Sequence, residues 1–339
     1  MSPRASTTTA TRDALRSLRA LLAHGAPPPP ELREAVAVAA REGEVVLLAL
    51  EADPALSPWL EAPARRHLVI DGHLDMALGL TAEALARRPA GRVALLKGSA
   101  SARLVYARTA LRFRRDVDLL VENLAAARAS LAAVGFRDNV RAEQLARGPA
   151  GLRTWPMALP TTFGQVEVDL HAAIVASPWC RPSTAAMLAD AGPAPGGPLP
   201  TTSLLDTFVH TAIHLVDNGL AQPMKHWVDL DRLARRVDPV AAATRARAHG
   251  GRVAMWMGLV VIQRWFDTPV ADHLAALGSP PDAPLLRALL TGDGAHPHAR
   301  PLTRGPARHL ARLLAADGSA ARARYVAWAA KRRLGLASS

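Results

Sequence analysis

The chain has 339 residues, half of them hydrophobic, a single cysteine and a net charge of +12. That apolar content excludes a chain disordered throughout, and the length allows two or three domains. One cysteine, Cys180, excludes an internal disulfide and gives no sign of a thiolate metal site, which fits a reducing cytoplasm, while the charge favours anionic partners: nucleotides, nucleic acid or acidic membranes.

Residues 1–11 are Ser/Thr-rich and read as disordered, and without an apolar stretch they predict no secretory signal. Residues 12–90 read as a helical lead-in. Leu15, Leu18, Leu21 and Leu22 fall at helical spacing up to His24, Pro27–Pro30 breaks the run, and a second helix extends to about Arg41. Further helical segments are predicted over Gly43–Glu51, Pro58–Arg66, Asp71–Leu80 and Thr81–Arg88. His67, His73, Asp71 and Asp75 in this region read as solvated helix faces in preference to a metal site.

A catalytic core is expected over residues 91–176. Val93–Leu96 is a short apolar run, read as a buried strand, that ends at Lys97-Gly98-Ser99. Gly98 allows close approach of the backbone to a ligand, and Ser99 is placed to cap a helix over Ser99–Ala107. The free N–H groups and positive dipole end of such a helix attract phosphate. Lys97 is one of only three lysines in an Arg-dominated chain, a compact point charge beside this turn. Asp116 and Asp118 follow at i and i+2 in Asp-Val-Asp-Leu-Leu-Val, so on a strand they share one face. Two adjacent carboxylates repel unless a cation lies between them, and Mg²⁺ takes such oxygen ligands together with substrate phosphates. The competing reading pairs these aspartates with Arg114 and Arg115 as solvated edge charges.

A helix over Leu124–Ala133 closes at Gly135, Arg137–Gln144 is a further possible strand, and Arg153–Ala158 and Gln165–Leu170 read as a strand pair. The alternation of the last strand puts Glu167 and Asp169 on one face, with His171 two residues on. Residues 177–202 are rich in Pro and Gly and read as a linker. Residues 203–335 are expected to form a C-terminal helical domain. His210 and His214 share a helix face but lack the Glu of a zinc-protease motif, and Trp256 and Trp265 are expected in the core. The Arg-rich tail suits either RNA backbone contacts or a solvated helix. The longest uncharged apolar run, Val253–Gln263, is too short to span a bilayer, so no membrane partner is expected.

Leu96-Lys97-Gly98, Tyr106, Arg112, Asp116-Val117-Asp118-Leu119-Leu120-Val121 and Asp169-Leu170-His171 together resemble an uncharacterised bacterial nucleotidyltransferase family of the superfamily that includes DNA polymerase β. The resemblance covers about residues 90 to 235. It implies an α/β (α+β) fold: a polymerase β-like core with a small mixed sheet, flanked by helical regions on both sides. It also implies transfer of a nucleoside monophosphate from a nucleoside triphosphate, ATP by expectation, with two Mg²⁺ ions. Asp116, Asp118 and Asp169 would then be the catalytic and metal-binding carboxylates, with Glu167 the rival for the third place. Lys97, Gly98, Ser99, Arg112 and Lys225 would hold the nucleotide phosphates. The acceptor stays open among a small molecule, RNA and a protein, the last two in the manner of a toxin-like modifier. A non-catalytic nucleotide-binding protein is the remaining alternative.

Overall fold

The computed structural model describes residues 3–140, 154–161, 164–174, 178–220, 222–291 and 306–333. Helices α1 (Pro3–His24), α2 (Arg33–Glu42), α3 (Val46–Ala52) and α4 (Ser57–Arg87) come first. Helix α1 begins inside the segment expected to be disordered. The three short segments predicted between residues 58 and 88 are one helix, α4. Pro58 lies in its first turn, where a missing N–H costs little, and Pro63 lies one turn further in, where it has no N–H to donate to the carbonyl four residues back.

A mixed region follows: β1 (Val93–Leu95), α5 (Lys97–Leu104), β2 (Asp116–Val121), α6 (Leu124–Ala132), β3 (Arg137–Asp138), β4 (Thr154–Thr161) and β5 (Gly164–His171). The possible strand over 137–144 is described only as far as residue 140. Next come α7 (Thr184–Ala189), β6 (Gly192–Pro193) and β7 (Pro200–Thr201). The Pro/Gly-rich stretch read as a linker therefore adds two strands to the sheet. Helices α8 (Leu204–Asp217), α9 (Met224–Ala234), α10 (Pro239–Ala248), α11 (Arg252–Phe266), α12 (Ala271–Leu277), α13 (Ala283–Thr291), α14 (Pro306–Ala315) and α15 (Gly318–Arg333) complete the chain. No helix among the described residues is long and apolar enough to cross a membrane.

Among the described residues the sheet has seven strands in the order β3-β4-β5-β2-β1-β7-β6. It is mixed: β2 runs parallel to β5 and β1 parallel to β7, and the other neighbours are antiparallel. Period-2 alternation assigns its faces. Val117, Leu119, Val121, Val166, Val168 and Leu170 are buried against α4 and α6 through Leu74, Leu78, Leu85, Ala127 and Leu131. The opposite face carries Asp116, Asp118, Glu167, Asp169 and His171. At its β1 end Ala94, Leu96 and Leu120 pack under Met187 and Leu188 of α7. The largest apolar core is helical and joins α1–α3 to α8–α15, with Trp227, Trp256 and Phe208 fully buried.

Candidate active site

The site grows from the register between β2 and β5. Asp118 stands opposite Asp169, Asp116 opposite Glu167 and Leu120 opposite His171. Because the strands are parallel and in step, the polar residues of both fall on one face. Asp118, Asp169 and His171 each offer a ligand atom, all within 4.8 Å of one another, the one such cluster of His, Cys, Asp or Glu among the described residues. Glu167 is turned to other work: its carboxylate accepts from Asn139 Nδ2 at 2.7 Å and Gln165 Nε2 at 3.1 Å. The histidine and aspartate pairs at 210/214 and in α4 do not form a further cluster of this kind among the described residues.

The turn after β1 brings in the cation. Leu96 is the N-cap of α5, and Lys97 opens the helix with φ 50°, a left-handed conformation uncommon outside glycine. The helix thus starts two residues before the expected Ser99. Ser99 lies within the first turn, 1% exposed, and its hydroxyl has no hydrogen-bond partner among the described residues. Lys97 Nζ donates to Asp118 Oδ1 and lies 3.2 Å from His171 Nε2, which itself is 2.8 Å from Asp118 Oδ1. His171 Nδ1 lies 3.1 Å from Thr154 Oγ1 on the neighbouring strand.

Burial and crowding separate the carboxylates electrostatically. Asp116 is pushed up to about 7, first by burial and then by Asp118 and Asp169, against the pull of Lys97 and Lys225. Asp169 is raised by burial and by Asp118. Burial also works to raise Asp118, but Lys97 and His171 outweigh it and hold that carboxylate well below its usual range. Lys97 keeps its proton: burial opposes the charge, and Asp118, Asp116 and Asp169 more than offset it.

Beside the carboxylates a pocket of about 210 Å³ is lined by Lys97, Gly98, Arg112, Arg114, Arg115, Asp116, Asp118, His214, Lys225 and His226. Its cations are anchored from behind. Arg112, 1% exposed, donates from Nε to both oxygens of Asp229 at 2.7 and 2.8 Å, and Tyr106 Oη donates to the same carboxylate at 2.7 Å. The residue expected to reach phosphates is therefore bound mainly to Asp229, with only its edge toward the pocket. Arg114 pairs with Asp71 and Asp75 of α4, and Arg115 with Glu44. So neither arginine neutralises Asp116 or Asp118, and Asp71, read as solvated, is buried. Lys225, in the first turn of α9, contacts Glu44 Oε2 at 2.5 Å; burial, then Arg112, lower it to about 8. His214 is lowered to about 4 and His226 well below its usual value, by burial first and then by neighbouring cations, so both are neutral.

Three contributors escaped the sequence reading. Glu44 sits at φ 57° in the turn between α2 and α3, far along the chain from Arg115 and Lys225. Asp71 is 43 residues from Arg114. His226 sits beside Lys225 without any spacing signal of its own. Glu44 and Asp71 lie on other elements than the cations they meet, so periodicity could not find them.

Residues 79–267 match the protein family described as "Uncharacterised nucleotidyltransferase". Comparison with curated proteins gave no match, and neither did comparison with solved structures. The matched segment is more than half of the chain and carries β1, α5, β2, β5, α8 and α9 with every pocket residue named above: the chain belongs to the uncharacterised nucleotidyltransferase family.

Proposed function

We propose that the protein is a metal-dependent enzyme with a polymerase β-like core. It moves a nucleoside monophosphate from a nucleoside triphosphate, ATP in our reading, to an acceptor hydroxyl or phosphate and releases pyrophosphate. One observation carries this reading: Asp118 and Asp169 are in register on parallel strands, with Asp116 on the same face. The donor atoms of Asp118, Asp169 and His171 lie close enough together to share one small divalent ion. Such an ion, when bound, supplies charge neutralisation on the phosphates and eases deprotonation of the attacking oxygen. Mg²⁺ is the ion expected where carboxylates alone are the ligands, as between Asp116 and Asp118.

The chain's own residues would then divide the work. The pocket is smaller than the roughly 300–1,000 Å³ of sites that enclose a whole ligand, which suits the phosphate tail with the nucleoside outside it. Lys97, Lys225 and the pocket-facing edge of Arg112 supply positive charge, and the N–H groups at the start of α5, with Gly98 and the Ser99 hydroxyl, supply neutral donors. Asp169, the third carboxylate of the family pattern, would take the proton of the attacking hydroxyl. The acceptor oxygen forms its bond to the α-phosphorus as the α–β phosphoanhydride breaks, and pyrophosphate leaves with the electron pair.

The test is turnover of ATP labelled at the α-phosphate, with pyrophosphate release followed in a cell extract that supplies acceptors. Asp116→Asn and Asp118→Asn should each remove release while the variants stay folded. Undiminished release in both sinks the assignment. Binding of ATP without any release by the wild type favours a non-catalytic nucleotide-binding protein. The molecule that takes the label identifies the acceptor as small molecule, RNA or protein.

A further inference from the structure

We propose that His171 is a direct ligand, through Nε2, of a divalent transition-metal ion shared with Asp118 and Asp169, and that this nitrogen gives the position a preference for Mn²⁺ over Mg²⁺. The inference rests on the metal-dependent reading above and refines it.

A cation already marks the place. The Lys97 ammonium meets Asp118 Oδ1 and stands 3.2 Å from His171 Nε2. An ammonium only donates and a carboxylate only accepts; Nε2 faces both, 2.8 Å from Asp118 Oδ1, so a cation in the place of Lys97 meets the nitrogen's lone pair once Nε2 carries no proton. The other ring nitrogen is held as in metal-binding histidines, which nearly always engage an oxygen partner through it: Nδ1 lies 3.1 Å from Thr154 Oγ1, the residue directly across the β4–β5 ladder. That hydroxyl can accept from Nδ1–H, the tautomer that leaves the Nε2 lone pair free for an ion. The spacing fits as well. His171 Nε2 and Asp118 Oδ1 are 2.8 Å apart, and neighbouring ligands of an octahedral ion with bonds of about 2.1 Å stand about 3 Å apart. His171 and Asp118 are both 5% exposed, so the ring is fixed by packing and hydrogen bonds together.

The chemistry follows from the donors. Mg²⁺ takes oxygen ligands and gains little from an imidazole, whereas first-row transition ions bind imidazole well, and Mn²⁺ also accepts carboxylates. Lys97 must yield its place to the ion. It lines the pocket beside Gly98, so phosphates lie within its reach when nucleotide is present.

The experiment uses the full chain and Mn²⁺ alone. Binding is read from loss of the free-ion electron paramagnetic resonance signal, and the ligand type from pulsed measurement of coupling to ¹⁴N. The wild type should show directly coupled nitrogen and should bind Mn²⁺ more tightly than Mg²⁺ in competition. His171→Gln should lose the coupling and weaken Mn²⁺ by about ten-fold or more while leaving Mg²⁺ binding within about two-fold. Thr154→Val should keep the coupling and weaken binding by about ten-fold. Bound Mn²⁺ without nitrogen coupling in the wild type overturns the inference, as does coupling that survives in His171→Gln. The wild-type spectrum alone decides the first point, so a poorly folded variant does not shelter the idea. If the coupling is absent while ATP turnover still depends on Asp116 and Asp118, the nucleotidyl-transfer reading stands and only the role of His171 falls. If the wild type binds no Mn²⁺ and turns over no ATP, both fall.

Discussion

Asp116 is the carboxylate whose proton competes most directly with a cation. Burial and its acidic neighbours push it up to about 7, so below that pH a bound cation must displace a proton. Cation affinity should fall as pH drops below about 7, at up to ten-fold per unit for one proton, and Asp116→Asn should flatten that slope. A Mn²⁺ titration repeated across the pH range checks it; an unchanged slope in the variant places the proton elsewhere. A second single-residue test concerns Arg112. Its guanidinium and the Tyr106 hydroxyl converge on Asp229, which is 2% exposed. Arg112→Leu would strand a buried carboxylate and should cost about 3–5 kcal/mol, whereas Tyr106→Phe removes one of several bonds and should cost about 1 kcal/mol. Urea denaturation separates them; equal small losses would mean the arginine serves the pocket more than the fold. Arg112 and Tyr106 were legible as parts of a motif, but their shared partner lies 117 and 123 residues away. No spacing rule reaches that far.

Strands β2 and β5 were the most readable elements: the acidic residues of each recur at i and i+2, so they fall on one face, and β5 alternates along its length. The segment over 177–202 was the least readable. Its prolines and glycines point to a loop, yet β7 lies along β1, with Thr202 N and Oγ1 both bonded to Leu95 O at 3.1 and 3.2 Å. Such two-residue strands are held by tertiary contacts and leave no periodic trace. Thr202→Val deletes a fully buried hydroxyl that also meets Thr207 Oγ1 at 2.9 Å. It should cost about 1–3 kcal/mol in thermal or urea unfolding, and a neutral result would return this stretch to the status of a linker. Helices α8 and α9 carry a second consequence. His214, like His67 on α4, is lowered from 6.5 to about 4, with burial the leading cause. Between about pH 4 and 6.5 the unfolded chain binds protons that the folded chain refuses, so these histidines make stability rise with pH across that window. Asp116 has the opposite sign: raised from 3.8 to about 7, it makes stability fall as pH rises between those values. Melting temperatures of Asp116→Asn should therefore climb more steeply from pH 4 to 6.5 than those of the wild type. A climb no steeper than the wild type's would mean that Asp116 does not hold its proton more tightly in the folded chain than in the unfolded one.

At the scale of the whole molecule, the N-terminal helices are a wall of the site and part of its main core. Residues of α1–α3 share one apolar cluster with α8–α15, and the turn after α2 supplies Glu44 to Arg115 and Lys225. The amphipathic spacing of Leu15, Leu18 and Leu21 revealed helices with a face to bury, but amphipathicity does not name the surface that buries it. The junction is tight at Gly43, whose carbonyl accepts from Lys225 N at 3.0 Å. A Cβ there would stand 2.8 Å from Met224 Cβ and 3.0 Å from Ala39 O, atoms that cannot swing away. Gly43→Ala should therefore push α2 and α9 apart, destabilise by about 1–3 kcal/mol as overpacking does, and weaken the proposed binding of ATP by disturbing Glu44 and Lys225 together. Gly72 on α4 is the matched control: it is an exposed helical position where an added methyl carbon would meet nothing within 4 Å. There the same substitution should stabilise by about 0.5–1 kcal/mol through helix propensity alone. Thermal unfolding and ATP titration of the two variants side by side read the difference. If Gly43→Ala matches Gly72→Ala in both, the N-terminal helices are not clamped to the pocket at this point, and the site belongs to the matched segment alone.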